Sequence, residues 1–483
     1  MKMKSIIICP VENSLINGRC SHILSRKIHV TQQDYEQSQA TMSNRRHFLK
    51  TAILSSSAIP HLAFTPASDQ LDAIKVAFAK VSHLPDEVVA REESTWREVQ
   101  KAYNYNEEYV NLASVVRGVS PKIVTDAVTD TCVRINEFRS GGNYVRGIRE
   151  EIRKRMATFV GCEPTELALT RNTTDGVTNV INGLELEKGD EIILSNQEHE
   201  GYYGAFYQRA AQCGAIIRRV EMPLAAKTPD ELSNVITQAI TSKTKLILLC
   251  HVYLSGQIMP IKKVCDVAHQ KEIKVLVDGA LAFGHIPVNV TSLGCDFYAG
   301  SLHKWAGGPR GTGFFYIKAG HIPKITPLYG YYNVKTQNFE PDSDQVQKFE
   351  STGTHPESQY NSIGQMLDFL QAIGMTRIQA RLHYLKKYWA EKMLDERELV
   401  FYASADPLMS CSLFSFDFKT KKYSDVVTPL YQQDKILLGG AYLNGAFGKP
   451  ETWRDVVLCN TALFTTPEHL DRFVLALRRM IRS

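Results

Sequence analysis

DFYAGSLHKWAGGPRGTGFFY, running from Asp296 to Tyr316, opens as an apolar strand and dissolves into glycines. The apolar run stops at Ala299 and Gly300, and Ser301, Leu302, His303, Lys304 and Trp305 follow at once. A lysine in that position sits where a strand ends and the backbone turns. Such strand ends are where an α/β sheet carries its chemistry. An amine held there is less solvated than a surface lysine, which suits a nucleophile or base. The stretch therefore predicts that Lys304 forms a Schiff base with pyridoxal phosphate. A strand-end lysine that simply points at water is the alternative.

Outward from that stretch, short apolar runs alternate with helical patterns. Strands are expected at Leu167–Thr170, Glu191–Ser195, Ala215–Val220, Lys245–His251, Lys274–Val277 and Phe297–Ala299, with a return strand at Gly313–Ile317. Helices are expected between them at Thr174–Leu184, Tyr202–Cys213, Asp230–Ile240 and Ile261–Lys271. This alternation implies a mostly parallel sheet covered on both faces.

The character changes after Tyr329. A long loop to Gly353 precedes helices at Glu357–Ile373 and Thr376–Leu399. Strands follow at Cys411–Phe418 and Asp455–Cys459, then an amphipathic helix at Pro467–Ile481. The expected organisation is a leader at 1–68, a segment at 69–115 packing with a small domain, a large domain at 116–335, and the small α+β domain at 336–483. In the 69–115 segment, helical residues lead to a short strand at Tyr109–Ser114.

The chain has 483 residues, 44% apolar and 22% charged, enough for two domains and a large core. Its formal charge of +5 is misleading, because residues 1–68 hold eight Lys and Arg against three acids, which is the whole excess. Nothing in the rest argues for nucleic acid or an anionic membrane. The ten cysteines include no CxxC pair and no zinc spacing, so buried free thiols are expected.

Asn44-Arg45-Arg46-His47-Phe48-Leu49-Lys50 precedes an uncharged stretch from Thr51 to Ala63. The pattern matches a twin-arginine export signal, and its apolar part is short for a membrane span. Export of a folded protein to the periplasm through the twin-arginine machinery is expected, with Met42 as the initiator and cleavage within Ala63–Ser68.

Four further features stand at strand ends. Thr173 and Thr174 open a helix, where amides and hydroxyls can cradle a phosphate, though a threonine N-cap reads the same way. His199 lies in a loop after Glu198, placed to stack on a flat ring or simply to face solvent. Asp278 ends the run VLVDGA, and a half-buried carboxylate there calls for a cation such as a protonated pyridine nitrogen. A capping Asp before Gly279 is the other reading. Ser301 and His303 flank Lys304 within reach of a phosphate.

In this order and spacing the chain resembles the class V aminotransferases, of the fold-type I pyridoxal phosphate enzymes. CDFYAGSLHKW is especially similar to the isopenicillin N epimerase-like branch. The resemblance covers about residues 105–475. It implies Lys304 as the Schiff-base lysine, Asp278 as the pyridine-nitrogen partner, His199 as the stacking ring, and Thr173, Thr174, Ser301 and His303 on the phosphate. It further implies a homodimer in which Thr354, after Gly353, serves the partner's site. The substrate would be a small amino acid or amine, handled by epimerisation, transamination or β-elimination.

Three positions depart from the family pattern. Leu281 stands where His or Gln is usual, and Tyr253 where Asn is common. Leu458 stands where many members bind the substrate carboxylate with Arg. Arg146, Arg310 or Arg454 would then take that part, or the substrate is not an ordinary α-amino acid. Two rivals remain: a cysteine desulfurase, for which Cys411 reads as core rather than as a mobile thiol, and an exported cofactor-binding protein without catalysis.

Overall fold

The computed structural model describes residues 66–114, 118–137, 142–330, 332–333, 338–339, 345–351, 353–404, 406–443 and 452–483. The arginine pair, Met42 and residues 63–65 of the expected cleavage region lie outside the described residues. Among the described residues no helix is long and apolar enough to cross a membrane.

The first strand, β1 (Val110–Leu112), follows the helices Pro66–Lys80, Asp86–Val89 and Glu93–Gln100. Seven strands then build the main sheet: β2 (Leu167–Thr170), β3 (Glu191–Ser195), β4 (Ile216–Val220), β5 (Thr244–Cys250), β6 (Lys274–Asp278), β7 (Phe297–Ser301) and β8 (Gly313–Ile317). Their order is β2-β8-β7-β6-β5-β3-β4, and only β8 runs against its neighbours. The strands β2, β3, β7 and β8 are buried along their whole length, as expected where helices cover both faces. Edge strand β4 instead exposes Ile216, Arg218 and Arg219, and charge on an exposed edge discourages pairing with another chain.

The second sheet adds, after a short hairpin of β9 (Tyr332–Asn333) and β10 (Asn338–Phe339), the strands β11 (Leu399–Phe401), β12 (Leu413–Phe418), β13 (Ile436–Leu443) and β14 (Arg454–Asn460). Its order is β1-β13-β14-β12-β11, so the early strand β1 pairs in parallel with β13.

Three expectations need correction here. The helix expected over Thr376–Leu399 ends at Ala390, because Leu399–Phe401 pairs with Phe416–Phe418 at the sheet edge. The helix expected over Glu357–Ile373 is broken at Ser362. The long loop before Gly353 contains a turn of helix, Val346–Glu350, whose last residue is buried against β2. There the Leu169 amide donates to Glu350 at 2.6 Å and Arg153 donates to it at 2.9 Å.

The turn after β7 is braced from three sides. The Leu302 amide donates to the Thr312 carbonyl at 3.0 Å, closing the β7–β8 connection. Trp305 stacks on His285 at 3.7 Å, and His285 accepts from the Ser412 amide at 2.8 Å, tying this turn to the second sheet. The third brace is the loop at Gly118, with φ of +44°. A Cβ at Gly118 would lie 2.0 Å from the His303 carbonyl oxygen, so only glycine lets the two backbones pass this closely.

Candidate active site

Asp278 ends β6 beside the end of β7, in register with Cys250 on one side and Ala299 on the other. It is 5% exposed, more enclosed than its sequence suggests. Its Oδ1 accepts from the Ala280 amide at 2.8 Å, so the capping reading also holds. Its Oδ2 accepts from the Tyr202 hydroxyl at 3.0 Å, with the Cys250 thiol at 3.8 Å. Tyr202 accepts in turn from the His199 amide at 3.1 Å. The carboxylate is thus aimed by a phenol and an amide, and the same phenol anchors the loop that carries His199.

Lys304 and His199 line one cavity of about 490 Å³. Burial pulls the Lys304 ammonium below the ordinary lysine range, while Asp278 opposes that shift. The charge of Asp278 is therefore felt at the amine. His199 is also pushed down, by burial first and then by Lys304, so its ring is held neutral. Its Nδ1 accepts from the Gly201 amide at 3.0 Å, which fixes the ring orientation.

The expected phosphate residues divide. Thr173 opens the helix Thr173–Gly183, and its hydroxyl lies 2.8 Å from Ser301 Oγ at the end of β7. The Thr173 amide donates to the same oxygen at 3.0 Å. A helix N-terminus and two hydroxyls thus meet at one strand end, which suits an anion. Thr174 is partly exposed on the next position. His303 Nδ1 lies 3.3 Å from the Thr312 carbonyl of its own loop. Thr354 is exposed and does not line the cavity of its own chain.

Two of the three departures do face this space: Leu281 and Leu458 line the same cavity as Lys304. Tyr253 does not, being fully buried with its hydroxyl on Met259 Sδ at 3.7 Å. Arg310 is exposed, Arg454 lies in a neighbouring groove with Asp417 and Trp453, and the Arg146 side chain lies outside the described residues. Cys411 is fully buried and its thiol is pushed up to about 12.

Glu198 had no assigned role in the sequence, although its place before His199 was visible. It is 2% exposed and lines the cavity. Its Oε1 accepts from Ser195 Oγ at 2.7 Å, while Oε2 is buried with no hydrogen-bond partner. Burial raises its pKa to about 8, with the negative charge of Asp278 adding to the shift. A carboxyl with a raised folded pKa contributes stability that is complete below its unfolded value and fades as pH rises through about 8. Glu198→Gln removes that dependence. The melting temperature of the variant relative to the parent is expected to climb by several degrees between pH 5 and pH 9. A constant difference across that range would show that Glu198 does not titrate there.

The donor set fits pyridoxal phosphate: an enclosed amine with lowered pKa, a buried carboxylate within its electrostatic reach, a fixed imidazole, and an anion cradle at a helix start. A family model for aminotransferase class-V matches residues 133–441. The chain is 28% identical over 339 residues to an isopenicillin N epimerase of Amycolatopsis lactamdurans, covering 67% of this chain and 84% of that protein. It is 28% identical over 404 residues to a probable cysteine desulfurase of Halalkalibacterium halodurans, covering 79% and 97%. Among solved structures, a cysteine desulfurase of Escherichia coli superposes with a TM-score of 0.70 at 22% identity, covering 80% of this chain and 98% of that one.

Proposed function

From a chain that belongs to the aminotransferase class-V family, we propose an enzyme that binds pyridoxal phosphate at Lys304 and removes a proton from the amine-bearing carbon of a small substrate. The observation that carries this reading is that Asp278 ends β6 beside β7, the strand whose following turn bears Lys304, near enough for its charge to oppose the burial shift of the amine. When bound, pyridoxal phosphate supplies an electron-poor ring that stabilises negative charge at that carbon.

This chain's residues do the rest. Lys304 lines the cavity with an amine that burial brings toward its neutral form, the form able to take a proton. Asp278, held by Tyr202 and the Ala280 amide, keeps a proton on the ring nitrogen by offering a fixed anion. His199 orients the ring from its anchored loop. Thr173 and Ser301, with the N-terminus of the helix Thr173–Gly183, hold the phosphate.

The relatives include both epimerases and cysteine desulfurases, so proton transfer and carbon–sulfur cleavage are both represented. A desulfurase-type relay through the second sheet is disfavoured, because Cys411, just before β12, and Cys459, on β14, are fully buried core residues. Each is pushed above the ordinary thiol range by burial. A sulfur relay needs a thiol that can reach the substrate as a thiolate.

The test is to load the purified protein with pyridoxal phosphate, reduce it with borohydride, and map the modified peptide. A fixed cofactor on Lys304 is the expected outcome. Fixation on another lysine, or none, overturns the reading.

A further inference from the structure

The cavity above Lys304 has walls of two kinds. One is apolar, formed by Leu254, Leu281, Val456 and Leu458. The other is acidic and phenolic, formed by Glu198, Glu200, Asp455, Tyr423 and Tyr442. Among the described lining residues Lys304 is the one lysine or arginine, and it is already committed to the cofactor.

The acidic wall is constructed rather than incidental. Asp455 and Tyr442 are cross-strand partners on β14 and β13. Tyr423 lies over β13 at Gly440, where a Cβ would come within 2.6 Å of its hydroxyl. Burial raises the Tyr423 phenol, and the charge of Asp455 raises it further, so it stays protonated beside that carboxylate. Deeper in the same cavity, Glu198 is 98% buried by its 2% exposure and leaves Oε2 without a partner. Such an oxygen is poised to meet a donor on a ligand.

We infer that the substrate is a primary amine with no carboxylate on its amine-bearing carbon, and that its far end carries a second cationic group received by Asp455 with Tyr423 and Tyr442. This rests on the functional reading above, which places the reacting amine at Lys304. A carboxylate next to that amine would meet Leu281 and Leu458, which offer no hydrogen bond and no charge. Burying an anion there without a partner is unfavourable. A cation at the rim instead finds two aromatic rings and the carboxylate of Asp455, which also borders the groove holding Lys421, Lys422 and Arg454.

The experiment uses the wild-type protein loaded with pyridoxal phosphate and matched ligands: agmatine against arginine, cadaverine against lysine, and pentylamine as the monoamine. Saturable changes in cofactor absorbance, supported by calorimetry, give the affinities. Agmatine and cadaverine are expected to bind about tenfold or more tightly than their amino acids. Cadaverine is expected to exceed pentylamine by about fivefold, the modest gain of a partly exposed ion pair.

Asp455→Asn should erase the advantage of cadaverine over pentylamine, and Leu458→Arg should shift preference toward the amino acids. Amino acids that bind as well as the amines, or a monoamine that equals the diamine, would overturn the inference. Because Leu458 is a core residue, Asp455→Asn on the surface decides the matter if the arginine variant does not fold. Borohydride fixation on the same sample separates the outcomes. Fixation at Lys304 with reversed preference defeats only the substrate class, whereas failure to fix defeats the functional reading and this inference with it.

Discussion

Lys304→Ala is expected to lose borohydride-fixable cofactor and at least about a thousandfold in turnover, because one change removes both the proposed nucleophile and the proposed base. The apoprotein should nevertheless stay folded. Lys304 carries its charge against a burial penalty, only partly offset by Asp278. A group whose folded pKa is depressed in this way is unfavourable to the folded state when protonated. Removing it should leave the melting temperature at pH 7 unchanged or higher. Replacing a site residue then raises stability while abolishing chemistry, a combination that misfolding cannot produce. A variant that retained turnover, with the cofactor fixed to another lysine, would sink the assignment.

The second large effect is expected at Asp278. Asp278→Asn preserves size and keeps an acceptor for the Ala280 amide, but it removes the anion that holds a ring nitrogen protonated. Turnover is expected to fall by about two to three orders of magnitude, with cofactor affinity falling about tenfold or more. The Tyr202 hydroxyl, now facing an amide, exchanges a charge-assisted hydrogen bond for a neutral one.

A readout independent of turnover follows from the same electrostatics. The charge of Asp278 raises the pKa of Lys304, so its loss should lower that pKa further. In the apoprotein, acylation of Lys304 should therefore begin at lower pH in Asp278→Asn than in the parent. An unchanged or upward-shifted titration would show that the two groups do not communicate.

The backbone plan was readable because buried parallel strands leave a strong mark. Runs such as KLILLC and KVLVD carry no polar face, and both form strands within a residue or two of the expected bounds. Thr376–Leu399 was misread at its far end because residues 399–401 owe their strand to pairing with residues 416–418, far along the chain. Strand β13 had no expectation at all. Ile436–Leu443 contains two adjacent glycines and is only partly buried, so its strand character comes from β1 and β14 on either side.

Within the site, the residue types at strand ends were legible and their partners were not. Lys304, Asp278, His199, Thr173 and Ser301 could be picked out because each follows or ends an apolar run. Nothing local reveals that Tyr202 bonds Asp278 across 76 positions, or that Glu198 lies buried beside it. Nor does anything local reveal that His303 Nδ1 lies against the Thr312 carbonyl of its own turn.

Sequence alone determined the strands, the lysine that follows one of them and the acid that ends another, because hydrophobic periodicity and strand-end chemistry are local properties. Tertiary structure alone decided how that acid is held, which leucines and carboxylates face the lysine, and which thiols are sealed away. Those outcomes depend on strands from distant parts of the chain meeting at one cavity, and on the removal of water that their meeting imposes.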